Sequence, residues 1–167
     1  MNAPRPSWNG EAALGWPAGL TGELDHRRLK APTLKLRSAL PTPGGDVIYA
    51  VDLRVRLPNQ DAFLSSSELH SIEHFLLEGF GRLLPQNFLS VGIMGCRTGF
   101  YLGFVNEGRT EVLCELLTRI LTEMQSAQAV PYANIEQCGN WRDHSLPDAQ
   151  RVAREILAQR ERWLEAA

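Results

Sequence analysis

Residues 47–57 alternate more strictly than any other stretch of this chain. Val47, Tyr49, Val51, Leu53, Val55 and Leu57 share one parity, and more polar residues, among them Asp52, Arg54 and Arg56, share the other. Period two marks a strand with one apolar face. Pro58 ends it. Upstream, Pro41-Thr42-Pro43-Gly44-Gly45-Asp46 is a strong turn signal, and residues 33–40 make a second strand, so a hairpin is expected. Residues 88–94 and 100–105 read as two further strands joined through 95–99.

Helical patterns fill the intervals. Ser65-Ser66-Ser67-Glu68 has the form of a capping box. The helix it opens runs over 69–84 and stops before Pro85. Leu69, Ile72, Leu76, Phe80 and Leu83 form its apolar stripe; His70, Glu73, His74 and Leu77 form the neighbouring one. Thr110 is expected to cap a second helix with the stripe Val112, Leu113, Leu116, Leu117, Ile120, Leu121 and Met124. Ser145, with Pro147 and Asp148, opens a third. Its stripe is Ala149, Val152, Ala153, Ile156, Leu157 and Trp163. Paired strands with tight links, interleaved with helices, predict an α+β fold built on an antiparallel sheet.

The 167 residues suit one domain with a substantial core. Residues 1–20, with Pro4, Pro6, Gly10, Gly15, Pro17 and Gly19, read as a loose extension anchored by Trp8 and Trp16; the domain proper is expected over 21–167. A net charge of −2 makes no electrostatic case for nucleic acid or an anionic membrane. No apolar run approaches the ~20 residues that span a bilayer. Three cysteines is an odd number, and the N-terminus lacks the pattern of an export signal. A reducing cytoplasm with free thiols is therefore expected. Cys114, inside an apolar helical stripe, reads as a buried small residue.

The chemistry concentrates in three short stretches. His70 and His74, four apart on a helix, project from one face and can reach one ion. Glu73 beside them gives the order His-x-x-Glu-His, which is weakly specific alone. Cys138 is expected between a short strand over 132–137 and a Gly139-Asn140 turn. Two imidazoles and a thiolate make a three-ligand set with an open fourth position, the mark of a catalytic site. Cys96 lies in Gly95-Cys96-Arg97-Thr98-Gly99, where Arg97 or a nearby metal would favour the thiolate; a buried turn cysteine is the plainer alternative. His144 reads as structural, in the loop before the last helix.

Together these stretches resemble the S-ribosylhomocysteine lyase family, LuxS, of autoinducer-2 biosynthesis. The match runs over about residues 24–157. It takes in Leu24-Asp25-His26 with Lys30-Ala31-Pro32, then Asp52-Leu53-Arg54 with Pro58-Asn59. It continues through the His70 to His74 motif, residues 94–101, Gln137-Cys138-Gly139 and His144-Ser145-Leu146. The resemblance implies a homodimer in which sheets of two subunits pack together. It implies one divalent metal per subunit on His70, His74 and Cys138, natively Fe(II), with zinc or cobalt as replacements. Cys96 and Glu73 would be the proton-transfer pair, with His26, Arg54, Thr21, Ser90 and Gly139 at substrate-binding positions. The substrate would be S-ribosylhomocysteine, and the implied reaction is two carbonyl shifts along the ribose, followed by β-elimination of homocysteine. Ser90 stands where the family usually has an acid, and Thr21 where it usually has a serine. The alternative reading is a divergent, metal-stabilised binding or regulatory dimer. An inverted zinc peptidase would need a further downstream carboxylate ligand.

Overall fold

The computed structural model describes residues 10–166. Strands β1 (Thr33–Pro41), β2 (Val47–Arg54), β3 (Phe88–Ile93) and β4 (Gly99–Val105) form one antiparallel sheet in the order β1-β2-β4-β3. The β1–β2 hairpin pairs Thr33 with Arg54 and Pro41 with Val47, with a bulge between Leu36 and Ser38. Strand β2 ends three residues before the alternation does. The reason is a single carbonyl: Thr98 O accepts both the Val55 and Arg56 N–H groups, at 2.8 and 3.0 Å, and the chain leaves the ladder.

Three long helices cover one face: α2 (Ser66–Leu83), α3 (Thr110–Met124) and α4 (Leu146–Leu157); the four-residue α1 (Gly10–Ala13) precedes the sheet. Leu34, Leu36, Val51, Leu53, Phe100, Leu102 and Phe104 share that face of the sheet and are buried with Ile72, Leu76, Phe80, Leu117, Leu121, Val152 and Ile156. Gly79 sets the spacing of α2 on α3, because a Cβ there would lie 2.5 Å from the Ile120 side chain. The apolar side of β2 is thus covered by the chain's own helices. The opposite face carries exposed Leu40, Ile48 and Tyr101 around Lys35, Arg37, Asp52 and Arg54. Asp52, buried there, pairs with Lys35 at 3.5 Å and Arg37 at 3.1 Å.

Four local expectations need correction. Residues 10–20 are docked rather than loose, with Trp16 the anchor expected of it: Trp16 and Leu20 are buried, and the Trp16 indole donates to Gly108 O at 2.9 Å; Trp8 lies outside the described residues. Thr110 is the first helical residue and Arg109 the cap position, because the Thr110 hydroxyl is spent on Leu14 O. Trp163 lies beyond α4, after a 3₁₀ turn (Arg160–Arg162). It folds back into the core with its indole on Ile156 O. Residues 132–137 form turns and no strand: the Asn134 side chain accepts the Glu136 and Gln137 N–H groups, and Tyr132 adopts a left-handed φ of 58°. Such local side-chain bonds compete directly with a ladder.

Candidate active site

Helix α2 positions the two motif histidines. Its capping box is complete: Ser65 Oγ accepts the Glu68 N–H and Glu68 accepts the Ser65 N–H at 2.7 Å. With Leu69, Ile72 and Leu76 buried in the core, His70 and His74 are turned towards the loop that precedes α4. There the chain brings four donor side chains together. Ligand atoms of His70, His74, Cys138 and His144 all lie within 4.8 Å of one another.

Hydrogen bonds decide which nitrogens are free. His70 Nδ1 lies 3.0 Å from Asp143 O, and His74 Nδ1 lies 2.6 Å from Pro131 O. A carbonyl only accepts, so both Nδ1 atoms carry hydrogen, and in the neutral ring Nε2 is the nitrogen with the lone pair. His70 Nε2 is 3.3 Å from Cys138 Sγ. Backbone carbonyls behind imidazoles whose other nitrogens converge with a thiol are the outer shell of a metal site. The residues present fit a divalent ion.

His144 belongs to this cluster, which the sequence reading missed. It stacks on His70, ring centroids 4.0 Å apart. Burial, then the neighbouring His70 and His74, push its pKa down to about 4, so it is neutral at pH 7. The Ser71 hydroxyl accepts the Ser145 N–H at 2.9 Å and has His144 Nδ1 in reach at 3.2 Å for its own hydrogen. His144 Nε2 then carries hydrogen and faces Cys138 Sγ at 3.6 Å. That is the place of a donor to the sulfur, with one atom each of His70, His74 and Cys138 left to meet an ion. The available signal was its position next to Ser145, whose capping of α4 pins the loop.

Cys96 is brought elsewhere, to the turn between β3 and β4. The turn is closed by Arg97 N–H to Met94 O, with Arg97 at φ 61°. Gly99 after it allows no side chain, since a Cβ would lie 2.1 Å from Leu53 O. Partial burial raises the Cys96 pKa, but bonds from the Thr98 hydroxyl and N–H, with Arg54 beside them, outweigh it and hold the thiol below its ordinary value. Arg97, the cation expected to do this, instead lies over the Phe63 ring at 4.1 Å. A cavity of about 240 Å³ opens over Cys96 and Thr98, lined also by His26, Pro58, Asp61 and Phe63. A second, of about 340 Å³, joins His26 and Arg54 to Lys35, Asp52 and Tyr101.

The family model of S-ribosylhomocysteinase, LuxS, matches residues 21–167. This chain belongs to the LuxS family. The S-ribosylhomocysteine lyase of Dichelobacter nodosus is 42% identical over 140 residues, covering 84% of this chain and 90% of the relative. That of Halobacillus halophilus is 39% identical over 142 residues, covering 85% and 92%. The Helicobacter pylori enzyme is 36% identical over 146 residues, covering 85% and 90%. Of the other positions the LuxS resemblance pointed to, His26 lines both cavities and Arg54 one. Glu73 is half-buried one residue before His74 and outside the donor cluster. Thr21 packs beside β1 through a bridge to Leu36. Gly139 is exposed next to Cys138. Ser90 is exposed on β3 opposite Gly103, and neither Ser90 nor Gly139 lines either cavity.

Proposed function

We propose that the protein cleaves S-ribosylhomocysteine to homocysteine and 4,5-dihydroxy-2,3-pentanedione, the autoinducer-2 precursor, working as a homodimer with one divalent ion per chain. The observation that carries this is the pair of imidazoles held by backbone carbonyls, their bare nitrogens converging with Cys138, in a chain of the LuxS family. His70, His74 and Cys138 would hold the ion, Fe(II) by preference, with zinc or cobalt as replacements. When bound, it supplies a Lewis acid that polarises a carbonyl.

The chain's own groups do the proton work. A carbonyl shift needs a base to take a proton from the carbon next to the carbonyl and an acid to return one to its neighbour. Cys96, held towards its thiolate, is the base for one carbon; Glu73 is the partner that moves the second proton. In the last step, loss of a proton from the carbon β to sulfur expels homocysteine thiolate. His26 and Arg54, flanking the second cavity, would bind the substrate, with Thr21, Ser90 and Gly139 as further contacts. Exposed Leu40, Ile48 and Tyr101 on the helix-free face support a subunit contact there, and Ser90, on that face too, would reach a ligand only near such a seam. A binding dimer without turnover would have no use for a thiol with a lowered pKa.

The test is homocysteine release from S-ribosylhomocysteine by anaerobically prepared, metal-assayed protein. Release with about one ion per chain is expected; no release at millimolar substrate from fully loaded protein overturns the reading. Sedimentation showing only monomer at micromolar concentration would overturn the dimer. Ser90→Asp should lower the KM, because a charged acceptor holds a hydroxyl more strongly than a neutral one.

A further inference from the structure

The proton-transfer reading leaves Thr98 without a part, although it sits between Arg54 and the Cys96 sulfur. Arg54 Nη1 is 3.9 Å from Cys96 Sγ, too far for a strong charge-assisted bond. Thr98 Oγ1 bridges the gap, 2.5 Å from Arg54 Nη1 and 3.0 Å from Cys96 Sγ. A guanidinium has donors and no acceptor, so in the first contact the Thr98 oxygen must accept. Its own hydrogen then has to go elsewhere. Thr98 is buried, 4% exposed, so the hydroxyl cannot turn to solvent, and the partner in reach is the sulfur. Donation by Arg54 polarises the hydroxyl and strengthens its bond to sulfur.

We propose that Thr98 is a positioning residue that relays the charge of Arg54 to Cys96 by donating its hydroxyl hydrogen to the thiolate. This rests on Cys96 being the proton-transfer thiol, but it concerns the state of the sulfur and is tested there. The backbone is built for it. The Thr98 carbonyl is fixed by two N–H groups from residues 55 and 56, and Gly99 is pressed against Leu53 O, so the hydroxyl is held by the end of the sheet. The other charged groups facing this pocket are His26 and Asp61, from the two loops that line it. They act oppositely, a protonated His26 favouring the thiolate and an ionised Asp61 opposing it. Arg97 is engaged with Phe63.

The readout is the pH profile of Cys96 alkylation by iodoacetamide in metal-loaded protein, followed on the Cys96 peptide by mass spectrometry. Cys114 and Cys138 fall in other peptides. Thr98→Val replaces the hydroxyl with a methyl of similar shape. It should move the alkylation midpoint up by about one unit, the size expected for one hydrogen bond to a charged group, so that alkylation below the wild-type midpoint slows about tenfold. Thr98→Ser, which keeps the hydroxyl, should restore the wild-type midpoint. Thr98→Ala gives the same comparison if the valine variant does not fold. A midpoint unchanged in Thr98→Val or Thr98→Ala, or raised equally in Thr98→Ser, overturns the relay. An upward shift in the variant together with no homocysteine release from fully loaded wild type would uphold the relay and overturn the lyase reading, so the two failures are distinguishable.

Discussion

The histidine–cysteine cluster and the thiol turn are built on opposite plans. The cluster draws its atoms from a helix and a long loop. His70 and His74 come from α2, Cys138 and His144 from the turns before α4, and backbone carbonyls at Pro131 and Asp143 orient the rings. The thiol turn draws on near neighbours in a ladder: Cys96 and Thr98 on one turn, Arg54 on the adjoining strand, Gly99 pressed between them. The first depends on a loop being pinned from several sides; the second is fixed by strand register. Damage to the first should cost metal, and damage to the second should cost chemistry with metal retained.

Removing a ligand is the severest test of that division. Cys138→Ala should lose most of its metal, measured by elemental analysis after gel filtration, since a methyl cannot replace a thiolate. Retention of a full ion would break the assignment of the cluster. Cys96→Ala should keep a full ion and release homocysteine ~10²–10⁴-fold more slowly, the usual worth of a general base. Loss of metal in this variant would show that the two regions are one. His144→Ala sharpens the comparison from within the cluster. As an outer-shell donor it should weaken metal affinity ~10–100-fold, less than Cys138→Ala does; an equal loss would make His144 a ligand. The smallest effect should come from Ser65→Ala, which removes the capping box of α2 and should cost about 0.5–2 kcal/mol on thermal unfolding. Metal content should be unchanged below the melting point, because the core stripe of α2 still fixes the helix.

The same division explains what could be read from the sequence. The hairpin, α2 with its box, and the β3–β4 pair follow local rules, and their periodicities survive in the structure almost unaltered. His70 and His74 were legible because four residues of helix put two rings on one face. His144 was not, because its place depends on Ser71 and Ser145 meeting across a separation of 74 residues. Residues 132–137 read as a short strand, but Asn134 satisfies the following N–H groups itself. The choice of Arg54 over Arg97 beside Cys96 turns on one left-handed residue, Arg97, which aims its side chain at Phe63. Nor could the pattern of β2 say what covers it. Its apolar side is closed by the chain's own helices, and the face left for a partner is the mixed polar one.

Two segments from opposite parts of the chain, residues 21–22 and Trp163, close on β1. Trp163 O accepts the Leu34 N–H at 3.0 Å and the Thr33 hydroxyl at 2.8 Å, and Leu36 O accepts the Gly22 N–H at 2.9 Å. These groups lie on the outer side of an edge strand, where an unpaired row of N–H and C=O invites another chain to add itself. Over residues 33–36 of β1 that template is already taken by residues 21–22 and 163. A variant cut short of Trp163 would expose Leu34 N–H on a hydrophobic strand and empty the pocket of a fully buried indole. Such a protein should aggregate through β1 well before its helices unfold, so turbidity on warming would report on the tail rather than on the active site.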